Sequence, residues 1–333
     1  MVRVRRWREG ERIDEITDLL HAAYAPLLAG GMNFTAATQS PATTHERAAS
    51  GTTFLAEDGD QIVGVITLHP DDDTLLYRQP GVQVIGPFAV HPNRQSEGIG
   101  RSLLEAVENE ARQQKLTAIA LDTAEPAEDL LAFYERAGFR EVGQLKRQSK
   151  VYRSVLMAKW IAPPLVRPCL GRDAEAAKSV VQEVFREYGF TWDGSDYFAD
   201  LDGLPESFPG GFWVAESGGQ VAGCGGLELH ELFAGQAGDL TAIRGTVRVS
   251  GTDCELGRLY VRPSARRQGL AGAISDCILS EARHRGLRAM EIWSDKRFAE
   301  AHRLYEKLGA RLVGERVCDD PDESPEWGFV LPL

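Results

Sequence analysis

Glu255-Leu-Gly-Arg-Leu-Tyr-Val-Arg-Pro-Ser-Ala-Arg-Arg-Gln-Gly-Leu-Ala271 is the stretch that decides how this chain is read. It opens as an apolar strand ending at Val261, passes a proline-bearing loop, and reaches Gly269 and Ala271 at the head of an amphipathic segment running to Arg285. The first N–H groups of a helix have no partner inside it, and the helix dipole adds partial positive charge at the same end. Small residues let a phosphate approach that backbone closely. Arg266 and Arg267 bring further positive charge. The pattern is that of a pyrophosphate site at a helix N-terminus.

The pattern occurs twice. Ile85-Gly-Pro-Phe-Ala-Val-His-Pro-Asn-Arg-Gln-Ser-Glu-Gly-Ile-Gly100 has the same strand, proline loop and helix start, with Gly98 and Gly100 at the turn and Glu97 opposing an anion unless it faces solvent. Phe54-Leu-Ala-Glu-Asp-Gly-Asp-Gln-Ile-Val-Gly64 matches Trp213-Val-Ala-Glu-Ser-Gly-Gly-Gln-Val-Ala-Gly223, each a strand, a glycine turn and a second strand. Glu110-Ala-Arg112 returns as Glu281-Ala-Arg283, and Tyr134-Glu-Arg-Ala-Gly138 as Tyr305-Glu-Lys-Leu-Gly309. The hairpins are offset by 213 − 54 = 159, the later pairs by 281 − 110 = 171 and 305 − 134 = 171. A constant offset requires the same elements in the same order. The step from 159 to 171 puts a net insertion of 12 residues into the second copy after Gly223.

At about 150 residues per domain, 333 residues suit two such copies. The paired prolines Pro163 and Pro164 end regular structure between them. The expected domains are residues 1–162 and 165–333. Each alternates strands and helices in a mixed α/β order. The P-loop and the dinucleotide fingerprint do not fit, since neither Gly-Lys-Ser/Thr nor Gly-x-Gly-x-x-Gly is present at these turns.

Composition narrows the function. A net charge of −12 makes nucleic acid and anionic membrane surfaces poor partners. Cys169, Cys224, Cys254, Cys277 and Cys318 are scattered, without CxxC or zinc spacing, which points to a reduced compartment and no metal site. No apolar run is long enough to span a bilayer, and the N-terminus lacks the apolar core of a signal peptide. The expectation is a cytoplasmic protein.

Gln95-Ser-Glu-Gly-Ile-Gly100 and Arg266-Arg-Gln-Gly-Leu-Ala271 resemble motif A of the GNAT superfamily of acyl-CoA N-acyltransferases. Phe133-Tyr-Glu-Arg-Ala-Gly-Phe139 and Leu304-Tyr-Glu-Lys-Leu-Gly-Ala310 resemble its motif B. The resemblance implies two tandem GNAT folds, each a twisted mixed β-sheet flanked by helices and splayed to admit the pantetheine of acetyl-CoA. It implies direct acetyl transfer to a primary amine. By position it assigns pantetheine contacts to Leu259, Tyr260 and Val261 and pyrophosphate contacts to Arg266, Arg267, Gln268, Gly269, Leu270 and Ala271. The first copy's counterparts are Phe88, Ala89 and Val90, then Gln95, Ser96, Glu97, Gly98, Ile99 and Gly100.

The chemistry needs a base for the ammonium, donors for the oxyanion and an acid for the thiolate. Glu255, six residues before Val261, stands where GNAT enzymes with a glutamate base carry it; the alternative is that it pairs with Arg258 or Arg248. Strand alternation groups Glu255 with Gly257 and Leu259. Tyr305 and Tyr134 match the family's general-acid tyrosine, with core packing as the alternative. The first copy has Val84 at the position of Glu255 (84 + 171 = 255), with Asp122 as a substitute base, so the second copy is the favoured catalytic one. The aromatic and acidic segment Phe185–Phe198 is expected to wall the acceptor or to pack inward. The expected substrate is a small-molecule amine. A non-catalytic acyl-CoA sensor and a protein or peptide N-acetyltransferase are the rival readings.

Overall fold

The computed structural model describes residues 2–71, 73–193 and 196–333, of which Asp196 is described in its backbone only. The chain divides into two compact units, Met1–Tyr77 with Gly81–Pro163 and Arg78–Pro80 with Pro164–Leu333.

The first unit runs β1 (Arg3–Arg6), α1 (Ile13–Ala29), α2 (Pro41–Ala49), β2 (Thr52–Asp58), β3 (Gln61–His69), β4 (Val82–Val90), α3 (Ile99–Gln113), β5 (Ala118–Ala124), α4 (Glu128–Arg136), β6 (Arg140–Leu145) and β7 (Ser154–Trp160). Its seven strands lie in the order β1-β2-β3-β4-β5-β7-β6. The second unit runs β8 (Leu165–Pro168), α5 (Ala174–Tyr188), α6 (Ala199–Asp202), β9 (Phe212–Ser217), β10 (Gln220–Leu229), β11 (Leu240–Ile243), β12 (Thr246–Val249), β13 (Cys254–Val261), α7 (Leu270–His284), β14 (Ala289–Asp295), α8 (Ala299–Leu308), β15 (Arg311–Val317) and β16 (Pro325–Pro332). Its sheet is ordered β15-β16-β14-β13-β10-β9-β8, the same topology read from the other edge.

Both sheets are mixed α/β layers with one short parallel contact at their centre. β4 pairs with β5 through Val82–Val84 only, and β13 with β14 through Cys254 and Glu255 only. Beyond those residues the strands part. Each splayed strand keeps its antiparallel partner on the other side, β3 for β4 and β10 for β13. Backbone N–H and C=O groups along the parted edge therefore need another partner.

The inserted residues are visible. Between His69 and Val82 lie 81 − 69 = 12 residues; between Leu229 and Cys254 lie 253 − 229 = 24. The extra 12 build the β11–β12 hairpin, a separate two-stranded sheet. Val249 of that hairpin packs with Ala289, Trp293 and Val330, so the insertion lies over the second sheet near β14.

Burial on two faces holds each sheet. In the second unit Val180, Val181 and Phe185 of α5 pack with Phe208, Phe212 and Val214. On the opposite face Ile274 and Ile278 of α7 approach Gly225, where an added Cβ would come within 2.8 Å of Ile274. Each such fully buried aliphatic or aromatic side chain is worth about 1.5–3 kcal/mol relative to exposure.

Candidate active site

The loops before α3 and α7 share one backbone shape. Gln95 and Arg266 are extended (φ −69°, ψ 158° and φ −67°, ψ 161°). Ser96 and Arg267 both have φ 65°, and Gly98 and Gly269 have φ 82° and 78°. Alternating left-handed residues turn successive N–H groups to one side, the anion-binding concavity known as a nest. Neither Gly98 nor Gly269 has an atom within 4 Å of where a Cβ would stand, so the ground in front of both is open. Neither helix has a side-chain cap to occupy its first N–H groups. The loops fit a pyrophosphate through backbone alone.

The side chains assigned to that role divide. Arg267 is exposed and borders the cavity described below. Arg266 is engaged by Glu187 at 2.7 Å, with its guanidinium 5.8 Å from the Tyr188 ring. Gln268 accepts from Ser217 Oγ at 2.8 Å. Leu270 and Ile99 turn their side chains into the core, leaving only main chain to a ligand. Glu97 pairs with Arg94 at 2.9 Å, which offsets its charge. A Cβ on Gly100 would touch Phe133 and Phe88 at 3.4 and 3.5 Å, so this glycine makes room for rings rather than for a phosphate.

A cavity of about 1010 Å³ runs through the second unit from this loop to the splay. Glu255, Tyr305, Leu259, Tyr260, Val261, Arg266, Arg267, Gly269, Leu270 and Ala271 all border it. Gly257 and Arg258 form a step in the strand. The pairing of β10 with β13 slips there by one residue, and Arg258 takes φ 54°. A β-bulge of this kind reverses side-chain alternation. It separates Leu259 from Glu255, contrary to simple alternation: Leu259 lies beside Ile274 against Gly225, on the α7 side, whereas Gly257 faces Phe208. Tyr260 returns to the α5 side, 5.9 Å from Phe185. Arg258 is held there by Asp200 at 2.7 and 2.9 Å.

Glu255 is bonded by Arg248 of the inserted hairpin, Nη2 to Oε2, at 2.6 Å. The same guanidinium donates from Nε to Glu291 at 2.8 Å. Glu291 has no exposed surface and also accepts from Val249 N at 2.9 Å and Trp293 Nε1 at 2.8 Å. Burial alone would raise Glu291, but His230, whose Nε2 lies 3.2 Å from Oε1, together with Arg248 and Val249 N, holds it down at about 2. Burial pushes Glu255 the other way, up to about 8; the Glu228 carboxylate adds to the rise and Arg248 opposes it. Two neighbouring carboxylates thus titrate far apart, the arrangement that marks acid–base sites. The pairing of Glu255 with Arg248 and its suitability as a base are compatible.

Tyr305 is buried, hydrogen-bonded to Ser294, and raised by burial to about 12. It carries its proton at neutral pH.

The first unit differs at the matching places. Tyr134 is buried among Phe88, Phe133 and Phe139, with ring centroids 6.3, 5.4 and 5.6 Å away, and burial holds its hydroxyl well above the ordinary range. The second unit has Leu259, Leu304 and Ala310 where these three rings stand (88, 133 and 139 plus 171). The Phe88 carbonyl accepts from Tyr24 Oη at 3.0 Å. Ala89 is buried and Val90 partly so. Asp122, expected from the sequence as a substitute base, is raised by desolvation while bonded by Tyr77 at 3.2 Å and Arg147 at 3.0 Å.

Both readings of the 185–198 segment hold in part. Phe185, Phe190 and Phe198 are core residues, with Trp192 stacked on Phe198 at 4.0 Å. Phe185, Tyr188, Phe190 and Tyr197 also border the cavity. Gly194 and Ser195 lie outside the described residues.

Sequence reasoning missed Glu228. Its Cα pairs with that of Glu255 across β10 and β13, and Glu255 pairs with Glu291 across β13 and β14. Three glutamates therefore stand in one row over three strands. The first unit has His69, Val84 and Ala120 in the same row. The offsets already in hand (69 + 159 = 228; 120 + 171 = 291) could have exposed it.

Among the described residues no group of three or more His, Cys, Asp or Glu side chains is arranged to hold a metal ion, and no helix is long and apolar enough to cross a membrane.

The chain is 29% identical over 275 residues to a mycothiol acetyltransferase of Thermobispora bispora, covering 78% of this chain and 80% of the relative. It is 32% identical over 156 residues to the uncharacterised N-acetyltransferase YjgM of Escherichia coli, covering 45% of this chain and 84% of that protein. Among solved structures, a GNAT family acetyltransferase from Elizabethkingia anophelis with acetyl-CoA bound aligns over 48% of this chain and 97% of its own, at 20% identity and a TM-score of 0.36. The model of the Acetyltransferase (GNAT) family matches residues 14–139 and again 177–310. With two splayed sheets of the same topology, two matching helix-start loops and two family matches spanning most of its length, the chain is a tandem member of the GNAT acetyltransferase family and an N-acetyltransferase.

Proposed function

We propose that the second unit catalyses transfer of an acetyl group from acetyl-CoA to the primary amine of a small molecule, and that the first unit is not the main catalytic copy. The observation that carries this reading is that Glu255, bonded by Arg248, borders the same cavity as Tyr305 and the α7 loop; burial there pushes its carboxyl up to about 8.

The amine arrives as an ammonium ion. Glu255 accepts one proton, leaving a neutral amine able to attack the thioester carbonyl. Unpaired main-chain N–H groups on the parted edge of β13 are available to the oxyanion that forms. As the tetrahedral species collapses, the C–S bond breaks and the C–N bond remains. Tyr305 supplies a proton to the departing sulfur, and the second amine proton restores the tyrosine directly or through water. One proton is released overall, by way of Glu255. Residues Arg267 and Gly269–Gly272 would hold the pyrophosphate, and the β13 edge from Leu259 to Val261 the pantetheine. The Phe88, Phe133 and Phe139 rings and the absence of a carboxylate at Val84 argue against an equal role for the first unit. The 80% coverage of a mycothiol acetyltransferase supports a small acceptor over a protein one.

The test is thiol release against a panel of primary amines with three proteins: wild type, Gly269→Asp and Gly98→Asp. Each substitution puts an anion and a strained left-handed residue at one anion site. Loss of turnover in Gly269→Asp alone supports the assignment. Loss in Gly98→Asp alone transfers catalysis to the first unit, and wild-type inactivity toward every amine favours an acyl-CoA sensor.

A further inference from the structure

Six carboxylates border the cavity: Glu228, Glu255, Asp295, Glu300, Asp320 and Glu326. Five are engaged. Glu255 pairs with Arg248, Asp295 with Arg297, Glu300 with Arg303 and Glu326 with Arg316, and Asp320 accepts from Ser324. Glu228 alone has no hydrogen bond or ion pair among the described residues. It is partly buried, faces the cavity, and stands opposite Glu255 in the strand register. Arg258, the cation whose charge acts most on Glu228, is committed to Asp200 and to the Tyr197 carbonyl.

Gly257 makes room for the Glu228 carboxylate itself. A Cβ at Gly257 would come within 2.6 Å of Glu228 Oε1. Leaving a carboxylate without a partner in a partly desolvated site is costly unless a ligand completes it.

We infer that Glu228 is the acceptor's ammonium seat, a second substrate-contacting carboxylate that binds the protonated amine while Glu255 across the strand pair removes its proton. This deepens the catalytic reading of the second unit and rests on it. The acceptor is thereby a cation in its binding form, not an alcohol, thiol or neutral amide. The step balances as R–NH₃⁺ and Glu255 carboxylate giving R–NH₂ and Glu255 carboxylic acid; burial raises Glu228 above the usual carboxylate range and the Arg258 charge opposes that rise, so the seat is filled by the ionised form of Glu228. Its negative charge favours the ammonium in the seat and also raises the proton affinity of Glu255. The charged and titratable groups facing the pair are Arg248 from β12, Glu291 from β14, Arg316 from β15, Arg258 on β13, Asp200 from α6 and His230 just after β10.

The first unit has His69 at the position of Glu228 and Val84 at that of Glu255, so it lacks both halves of the seat. This predicts one ammonium-binding centre per chain.

The experiment measures equilibrium binding of 2-phenylethylamine and of 2-phenylethanol to the CoA-loaded full chain, in wild type, Glu228→Gln, Gly257→Ala and Glu255→Gln. The expected result is tighter binding of the amine than of the alcohol by wild type. Glu228→Gln should then weaken amine binding by about tenfold to a hundredfold, the range for a hydrogen bond between charged groups, and leave the alcohol unchanged. Gly257→Ala, which crowds the carboxylate, should weaken the amine in the same direction. CoA binding should be unaltered in both, which reports an intact fold. Where turnover is followed, the alkaline-rising limb of kcat/KM should move to lower pH in Glu228→Gln, because Glu255 loses a repelling neighbour. Equal binding of amine and alcohol by wild type, or equal amine binding by wild type and Glu228→Gln, overturns the seat. Full turnover in Glu255→Gln with a weakened amine in Glu228→Gln instead removes the base assignment and leaves the seat standing.

Discussion

Arg248 Nη2 reaches Glu255 Oε2 at 2.6 Å from a hairpin that the first unit lacks. The guanidinium favours the ionised carboxylate, so its loss moves Glu255 further above about 8. Arg248→Met should shift the rising limb of the kcat/KM profile to higher pH and lower activity at neutral pH, each further pH step of one costing about tenfold in ionised base. It also strips a donor from the buried Glu291, at a stability cost of about 3 kcal/mol. A pH–rate series with a urea melt reads both, and a limb that stays in place or moves to lower pH would contradict the role given to Arg248.

Glu255→Gln should reduce kcat/KM by about 10²–10⁴, the usual contribution of a positioned base. Unchanged turnover across the pH range would show that water or another group takes the proton.

The same substitution should alter stability in a pH-dependent direction. Glu255 titrates at about 8 in the folded protein and at 4.5 when unperturbed. The folded state binds this proton more tightly, so the stability it brings is complete below the lower value and lost as pH rises through the upper one. Glutamine does not titrate. The variant should melt above wild type in alkaline buffer, with the gap closing as the pH falls toward 4.5. Thermal melts across that window test it, and parallel curves would refute the raised carboxyl.

Tyr305→Phe should lower kcat by about tenfold or more while leaving the acidic limb of the profile where it is, since a hydroxyl raised to about 12 stays protonated there. A displaced acidic limb would mean that Tyr305 acts by setting Glu255 rather than by donating a proton.

Leu304→Phe copies Phe133 of the first unit into the cavity wall. It should weaken CoA binding in calorimetry, with an overpacking cost of about 1–3 kcal/mol in stability. Undiminished CoA affinity would remove the ring-filling argument for preferring the second unit.

The duplicated fold was legible because it is written in local signals. The glycine turns at Gly98 and Gly269 and the tyrosines Tyr134 and Tyr305 keep one offset, and their helix starts follow from capping physics. Glu255 was legible by its distance from the same turn. Glu228 was harder to read, because the offset marks its position but not its meaning, which lies in register: it stands near the end of an apolar strand and meets Glu255 only across a 24-residue connection and beside a bulge. The bulge also explains the failure of alternation at Leu259, since one extra residue in a strand changes the face of all that follow. Arg266 read as a phosphate ligand because its sequence neighbours are a phosphate loop; its engagement with Glu187 depends on how α5 lies against that loop.

The β11–β12 hairpin gives the second copy of a duplicated scaffold a piece that stands apart from its sheet. Its arginine reaches Glu255 from outside the repeated framework, so the charge around that carboxylate can be retuned there without rewriting any strand of the sheet. Such an appendage is portable. Grafting residues 230–253 in place of 70–81, with glutamates at His69, Val84 and Ala120, would recreate the row of carboxylates in the other half of the chain.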